Sequence, residues 1–186
     1  MAGYVIHLAV AKEYLRNFRI KEEKEFLRGA IAPDVLSKED KKETHYSENG
    51  GAGVNLKEFL KHNSISTAYM QGYFLHLVVD YLFYNEYFPN AKNETRQYND
   101  YDILNKELIE QYKIEIPEEI KGVVKYKEGK LEILDKEKVN QMIQEISKKS
   151  IKEYKKEVLK TEKVTTDTEE NEIATLKENR KDKIKL

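Results

Sequence analysis

The hydrophobic pattern of the chain centres on one nearly all-apolar stretch, GYFLHLVVDYLFY, at residues 72–84. A helix that is apolar on every face lies inside a protein rather than at its surface. The stretch contains two ionisable residues, His76 and Asp80, which are four positions apart and therefore share one helix face. A buried carboxylate has to be paired or bound to a metal. The pattern predicts a buried central helix that carries either a structural His–Asp pair or part of a metal site.

Periodic apolar positions predict further helices on both sides of this central helix. Apolar residues recur with helical spacing from Ile6 to Phe18, and again beyond Pro89, which ends the central helix. An alternating pattern around Gly129 indicates a small β-hairpin at residues 123–134. The fold expected from these patterns is all-α, with one helical domain over residues 1–159.

The composition changes near residue 160, where a charged, threonine-rich segment begins. Such a segment has too few apolar residues to form a core of its own. We expect residues 160–186 to be a mobile tail or a loosely attached helix.

Composition and charge exclude several classes of function. The chain has 186 residues and a formal net charge of −1, which gives no general electrostatic reason to bind nucleic acid or an anionic membrane. It has no cysteine, so a metal would have to be held by His, Asp, Glu or backbone groups. The N-terminus shows no signal-peptide pattern, and the longest apolar run falls short of the ~20 residues that span a bilayer. A cytoplasmic protein without a transmembrane segment is the expectation, and the oligomeric state is left open.

Three further residues are candidates for the same site as His76 and Asp80. His7 lies at the start of the first helix, where it is either a surface or capping histidine or points inward toward His76. Asp34 follows Pro33 in the run GAIAPD, where it is predicted to be non-helical, as a turn residue or as a metal ligand in a stiff loop. His45 belongs to a polar loop at residues 37–54. The fourth histidine, His62, is interpreted as exposed and inert.

Four pieces of sequence, taken in order, resemble the zinc-dependent phospholipase C family, which shares its all-helical fold with single-strand-specific fungal nucleases. They are His7, GAIAPD at residues 29–34, THY at 44–46 and GYFLHLVVD at 72–80. The resemblance implies a zinc-dependent hydrolase of a phosphate ester, with phospholipid among the possible substrates. It also implies that one zinc ion is surrounded by Asp34, His45, His76 and Asp80. His7, with Asp80 as a bridge, would hold a second ion, and Asp34 would act as the general base.

The chain departs from the family pattern in its remaining ligands. Members with three zinc ions use an N-terminal tryptophan and additional His and Glu residues after the central helix. This chain has no tryptophan and no histidine after His76. Glu86, Asp100 and Asp102 are the weaker candidates to replace the missing ligands, although Asp100 and Asp102 are equally explained as caps of the following helix. One or two ions are therefore expected instead of three.

Two other functions compete with the hydrolase. The reduced ligand set suits a non-catalytic helical domain that binds a metal or a partner through a degenerate site. The second helical class of metal phosphohydrolases is built around an adjacent His-Asp pair. It is disfavoured because no histidine in this chain is followed by aspartate.

Overall fold

The structure, a computed structural model, describes residues 2–37, 41–47 and 53–160. The chain divides into two units between Ile151 and Lys152. The α-helices of the first unit are α1 (Tyr4–Asn17), α2 (Glu23–Leu36), α3 (Lys42–His45), α4 (Leu56–His62), α5 (Ala68–Leu82), α6 (Gln97–Tyr112) and α7 (Lys136–Ser147). The described part of the second unit, residues 152–160, is also helical, and the tail predicted beyond it falls outside the described residues. No strand occurs in the described ranges, so the expected all-α class is confirmed.

Helix α5 is the buried central helix that the sequence predicts. Every residue from Gly72 to Asp80 is buried, and α5 packs mainly on α2, with further contacts to α1 and α4. The Thr67 hydroxyl caps its start by accepting a hydrogen bond from the Met70 N–H at 3.2 Å. Beyond Leu82 the chain continues as a π-helical turn, Phe83–Tyr87. Across the described residues, no helix has the length and apolar character needed to cross a membrane.

Helices α2 and α5 touch through their backbones at two glycines. A Cβ atom on Gly72 would lie 2.0 Å from the Phe26 carbonyl oxygen, and one on Gly29 would lie 2.0 Å from that of Tyr69. Helix α2 runs through Gly29 and Pro33 to Leu36. The prediction that Asp34 is non-helical is therefore wrong. An interior proline costs a helix about 3 kcal/mol. The tertiary packing of α2 on α5 offsets that cost, since packing supplies most helical stability in proteins.

The hairpin predicted at residues 123–134 does not form. Several of its backbone groups bond to α6, and the N–H groups of Val123 and Val124 donate to the Ile120 carbonyl. The Lys127 N–H donates to the Asp102 carbonyl at 3.0 Å, and the Asn105 amide donates to the Lys125 carbonyl at 2.8 Å. Asp100 lies inside α6, which begins at Gln97, so it does not cap that helix as expected. Its carboxylate accepts the N–H groups of residues 132–134 at 2.8–3.2 Å.

Candidate metal centre

Four helices bring five ionisable side chains together in the core. α1 supplies His7, α2 supplies Asp34, α3 supplies His45, and α5 supplies both His76 and Asp80. The side chains of all five are 0% exposed. We call this group the His–Asp cluster. It contains every residue of the main ligand set that the sequence suggests.

The polar atoms of four cluster members lie at ligand-like spacing. His45 Nε2 is 3.3 Å from His76 Nε2, 3.3 Å from Asp34 Oδ1 and 3.3 Å from Asp80 Oδ2. His76 Nε2 lies 3.8 Å from the same oxygen of Asp34 and 3.5 Å from that of Asp80. The two imidazole nitrogens are thus adjacent to each other and to one oxygen of each carboxylate.

His7 points inward and approaches the other oxygen of Asp80. Its ring stacks on that of His76, with centroids 3.6 Å apart and planes 8° apart. His7 Nε2 lies 3.3 Å from Asp80 Oδ1, although this contact lacks the alignment of a hydrogen bond. Asp80 Oδ1 therefore faces His7 and also accepts a hydrogen bond from the Ala2 N–H at 2.7 Å, whereas Oδ2 faces His45 and His76. A carboxylate in this position can bridge two sets of nitrogen ligands.

Backbone carbonyls hold two of the histidines in one tautomer. His76 Nδ1 lies 2.8 Å from the Ala30 carbonyl, and His45 Nδ1 lies 3.2 Å from the Lys41 carbonyl. A carbonyl oxygen only accepts, so each Nδ1 carries a hydrogen. When the rings are neutral, each Nε2 then directs a lone pair into the cluster. Such outer hydrogen bonds are the usual way in which proteins orient histidine ligands toward a metal.

Several polar atoms of the cluster are buried and have no hydrogen-bond partner among the described residues. They are both ring nitrogens of His7, Oδ2 of Asp34 and Oδ2 of Asp80. Buried polar atoms are almost always satisfied, and an exception calls for an explanation such as a bound ion. Two overlapping groups have ligand atoms within 4.8 Å of one another: His7, Asp34 and His76, and His45, His76 and Asp80. The cluster can therefore hold a metal ion.

The two carboxylates of the cluster favour a protonated form of His45. Burial alone would lower the pKa of His45, but the carboxylates of Asp34 and Asp80 outweigh burial and raise it to about 9. Burial and the neighbouring His76 lower the pKa of His7 to about 4. Burial opposes ionisation of both carboxyls. His76 and His45 nevertheless hold the pKa of Asp34 below its usual range. The positive charge of the N-terminal amino group, followed by His7 and His45, holds the pKa of Asp80 well below its usual range. At neutral pH these shifts favour ionised carboxylates at Asp34 and Asp80, a protonated His45 and a neutral His7.

Sequence reasoning missed one residue of the centre, Lys41. Its Nζ lies 3.2 Å from Asp34 Oδ1, and its side chain is 31% exposed. Its carbonyl also holds His45, as described above. The only sequence signal was its position four residues before His45, and the neighbouring Lys42 made Lys41 look like part of a solvated charged run.

The weaker ligand candidates lie elsewhere. Glu86 is exposed on the π-helical turn, Asp100 is bound by the backbone of residues 132–134, and Asp102 forms an ion pair with Lys127 at 3.4 Å. None of the three belongs to either metal-compatible group among the described residues. His62 is 64% exposed and contacts Glu58 at 2.8 Å, which confirms its predicted exposure.

Known proteins offer no guide to this centre. No protein-family model matches the chain, and no curated protein or solved structure does. The resemblance to the zinc-dependent phospholipases C remains one of short motifs. The chemistry of the cluster must be judged from its own geometry.

Proposed function

We propose that the protein is a zinc-dependent hydrolase of a phosphate ester, similar in its chemistry to phospholipase C. The observation that carries the proposal is the group of buried, unpartnered nitrogen and oxygen atoms at the centre of the fold. These atoms are costly to bury unless a cation satisfies them. The order of the motif pieces along the chain supports the choice of zinc and of phosphate esters.

The donor set fits zinc in type and in spacing. Zinc binds histidine nitrogen and carboxylate oxygen at about 2.0–2.2 Å, and a tetrahedron of that size has edges of roughly 3.3–3.6 Å. His45 Nε2 and His76 Nε2 lie 3.3 Å from each other, and each lies 3.3–3.8 Å from one oxygen of Asp34 and one oxygen of Asp80. Imidazole ligands also argue against magnesium and calcium, which prefer oxygen ligands alone.

The arrangement of Asp80 supports a second ion beside the first. Its two oxygens face different histidines, and His7 has both ring nitrogens without a hydrogen-bond partner. Paired ions, when bound, polarise phosphoryl oxygens and lower the pKa of a water molecule. The role of this chain is to fix the ligand positions with rigid buried helices and with the carbonyl-held histidines.

Asp34 is the residue we assign to general-base assistance. Its Oδ1 contacts His45 and Lys41, whereas its buried Oδ2 has no hydrogen-bond partner. The lowered pKa of Asp34 keeps it ionised at neutral pH, so that Oδ2 can accept a hydrogen bond from an attacking water. Asp34 would therefore orient the water as well as receive its proton.

A second candidate is a non-catalytic domain with a closed metal site. The observation that favours it is the complete burial of all five cluster side chains. Structural metal sites are closed, whereas catalytic sites keep a position open to water or substrate. The two candidates share the ligands and differ in whether a small molecule reaches the ion.

The first test is the zinc content of the purified protein, by elemental analysis, for wild type and two matched histidine variants. We expect one or two zinc ions per chain in wild type and their loss in His76→Ala. His62→Ala replaces an exposed histidine outside the cluster and should keep the wild-type content. A wild-type protein that neither contains nor takes up zinc would contradict the proposal.

The second test separates the two candidates. Hydrolysis of bis(p-nitrophenyl) phosphate and p-nitrophenyl phosphate is measured with the zinc-loaded protein, with and without a chelator. Activity that disappears on chelation and returns with zinc supports the hydrolase. A zinc-loaded protein that hydrolyses neither these esters nor a panel of phospholipids supports the closed-site domain.

A further inference from the structure

Lys41 links the buried cluster to solvent in the part of the chain that the structure describes. Among the described residues that contact the carboxylates of Asp34 and Asp80, Ala2 and the three histidines are 0–1% exposed. Lys41 is the exception, because its side chain is 31% exposed while its Nζ lies 3.2 Å from Asp34 Oδ1. The long lysine side chain thus connects the surface with a ligand atom of the centre.

We propose that Lys41 binds the phosphoryl oxygens of the substrate and positions them at the metal centre. This inference rests on the proposed hydrolase function and names the residue that recognises its anionic substrate. With one divalent ion, the charges of Asp34 and Asp80 are cancelled, and the Lys41 ammonium adds a positive charge 3.2 Å from Asp34 Oδ1. An ammonium group in that position suits a phosphate oxyanion, which lysine binds as a point charge.

Hydrogen bonds around Lys41 fix the main chain from which the ammonium group extends. The Lys41 carbonyl accepts hydrogen bonds from the backbone N–H of His45 at 2.9 Å and from its ring Nδ1 at 3.2 Å. The residue that carries the cation is therefore fixed to a metal ligand through its own main chain. Lys42, the next residue, is exposed and contacts neither carboxylate in the described structure. It offers the same charge one position away, outside the centre.

The test measures binding of inorganic phosphate to the zinc-loaded protein by isothermal titration calorimetry. Lys41→Gln should weaken the phosphate affinity by about tenfold or more, the weight of one charge-assisted hydrogen bond, while zinc content stays at the wild-type level. Lys41→Arg, which keeps the positive charge, should retain most of the affinity. Lys42→Gln removes the same charge from the neighbouring position and should bind phosphate as wild type does. Melting temperatures of the three variants verify that each is folded.

The results that overturn the inference differ from those that overturn the proposed function. Unchanged phosphate affinity in Lys41→Gln would exclude Lys41 as the phosphate-binding group. Loss of zinc in the folded Lys41→Gln variant would assign Lys41 to holding the metal ligands instead. A wild-type protein that takes up zinc but shows no phosphate binding overturns the inference and leaves the metal centre intact. A wild-type protein without zinc overturns the proposed function, and the inference with it.

Discussion

Gly29 and Gly72 face each other's helices at the point where α2 and α5 cross, and their missing side chains allow the two backbones to touch. The Cβ positions of both glycines are occupied by a carbonyl oxygen of the opposite helix at 2.0 Å. This close approach brings the Ala30 carbonyl, one residue after Gly29, within 2.8 Å of His76 Nδ1, one turn after Gly72. The tautomer and orientation of a candidate metal ligand therefore depend on two glycines that do not contact the metal site.

The Gly72→Ala variant tests this dependence. The added methyl group would overlap the Phe26 carbonyl, and overpacking of this kind costs about 1–3 kcal/mol or more. We expect a lower melting temperature and a reduced zinc content, because the helices must move apart. Gly122→Ala is the matched control, since a Cβ atom there meets nothing within 4 Å. Equal stability and zinc content in both variants would refute the role of the glycine contact.

Replacing Asp80 by asparagine tests its bridging position. The Asp80→Asn variant preserves the shape of the side chain and an oxygen that can accept the Ala2 N–H, but it removes the charge that faces the histidines. We expect at least a tenfold loss of zinc affinity, measured by competition with a chromophoric chelator. Asp102→Asn makes the same chemical change in an ion pair with Lys127 and should leave zinc affinity unaltered. Equal zinc affinities in the two variants would exclude Asp80 as a ligand.

Asp100 is expected to matter for stability and not for metal binding. Its carboxylate is the acceptor for three consecutive backbone N–H groups, of residues 132–134. Asp100→Ala would leave these donors without their partner and should destabilise the protein by about 2–4 kcal/mol. Chemical denaturation measures the loss, and elemental analysis at a temperature where the variant is folded should show wild-type zinc. Zinc loss from the folded variant would make Asp100 a ligand candidate again.

The metal-free protein should be most stable near pH 6.5. The folded-state pKa of His45, about 9, lies above its ordinary value of 6.5, so its contribution is complete below pH 6.5 and is lost as the pH rises to 9. The loss is at most about 3 kcal/mol, from 1.36 kcal/mol per pKa unit. His7 affects stability at acidic pH. Because its folded-state pKa is about 4, below the ordinary value of 6.5, the free energy of unfolding falls as the pH decreases from 6.5 to 4.

Thermal unfolding of chelator-treated protein between pH 4 and 9 measures both effects. The His45→Gln variant should lose the alkaline decline and keep the acidic one. A wild-type melting temperature that stays constant from pH 6.5 to 9 would show that His45 is not held as an imidazolium in the folded protein.

Zinc binding should release protons and strengthen with pH. Below pH 9 the His45 ring is protonated in the metal-free cluster, and zinc must displace that proton to reach Nε2. We expect about one proton released per bound ion at pH 7.5, and an affinity that increases by about tenfold per pH unit up to pH 9. Calorimetry in two buffers of different ionisation enthalpy counts the protons. Identical binding enthalpies in both buffers would contradict this expectation.

Local patterns in the sequence predict the central helix and the shared face of its two ionisable residues. The apolar run around His76 and Asp80 leaves a helix no stable place except the core, and the structure confirms that α5 is buried there. The spacing of these two residues places them on one face whatever surrounds the helix. The convergence of five ligand candidates followed from the resemblance to a family and not from any local pattern, because it joins residues on four different helices.

Long-range contacts decided the remaining features. Local propensity at Gly29 and Pro33 favours the end of a helix, but packing against Gly72 keeps α2 helical and turns Asp34 into the core. The alternating pattern around Gly129 is compatible with a hairpin. In the structure, however, the Asp100 carboxylate on α6 accepts hydrogen bonds from backbone N–H groups that a hairpin would use for strand pairing.

Composition and periodicity are enough to predict the helical class, the buried central helix and the residue types available to bind a metal. The packing of the helices is what makes Asp80 face two sets of histidines, orients His45 and His76 through carbonyls, and brings Lys41 from the surface to Asp34. Most of these relationships are distances between residues far apart in the chain. They arise when helices pack, and no local propensity encodes them.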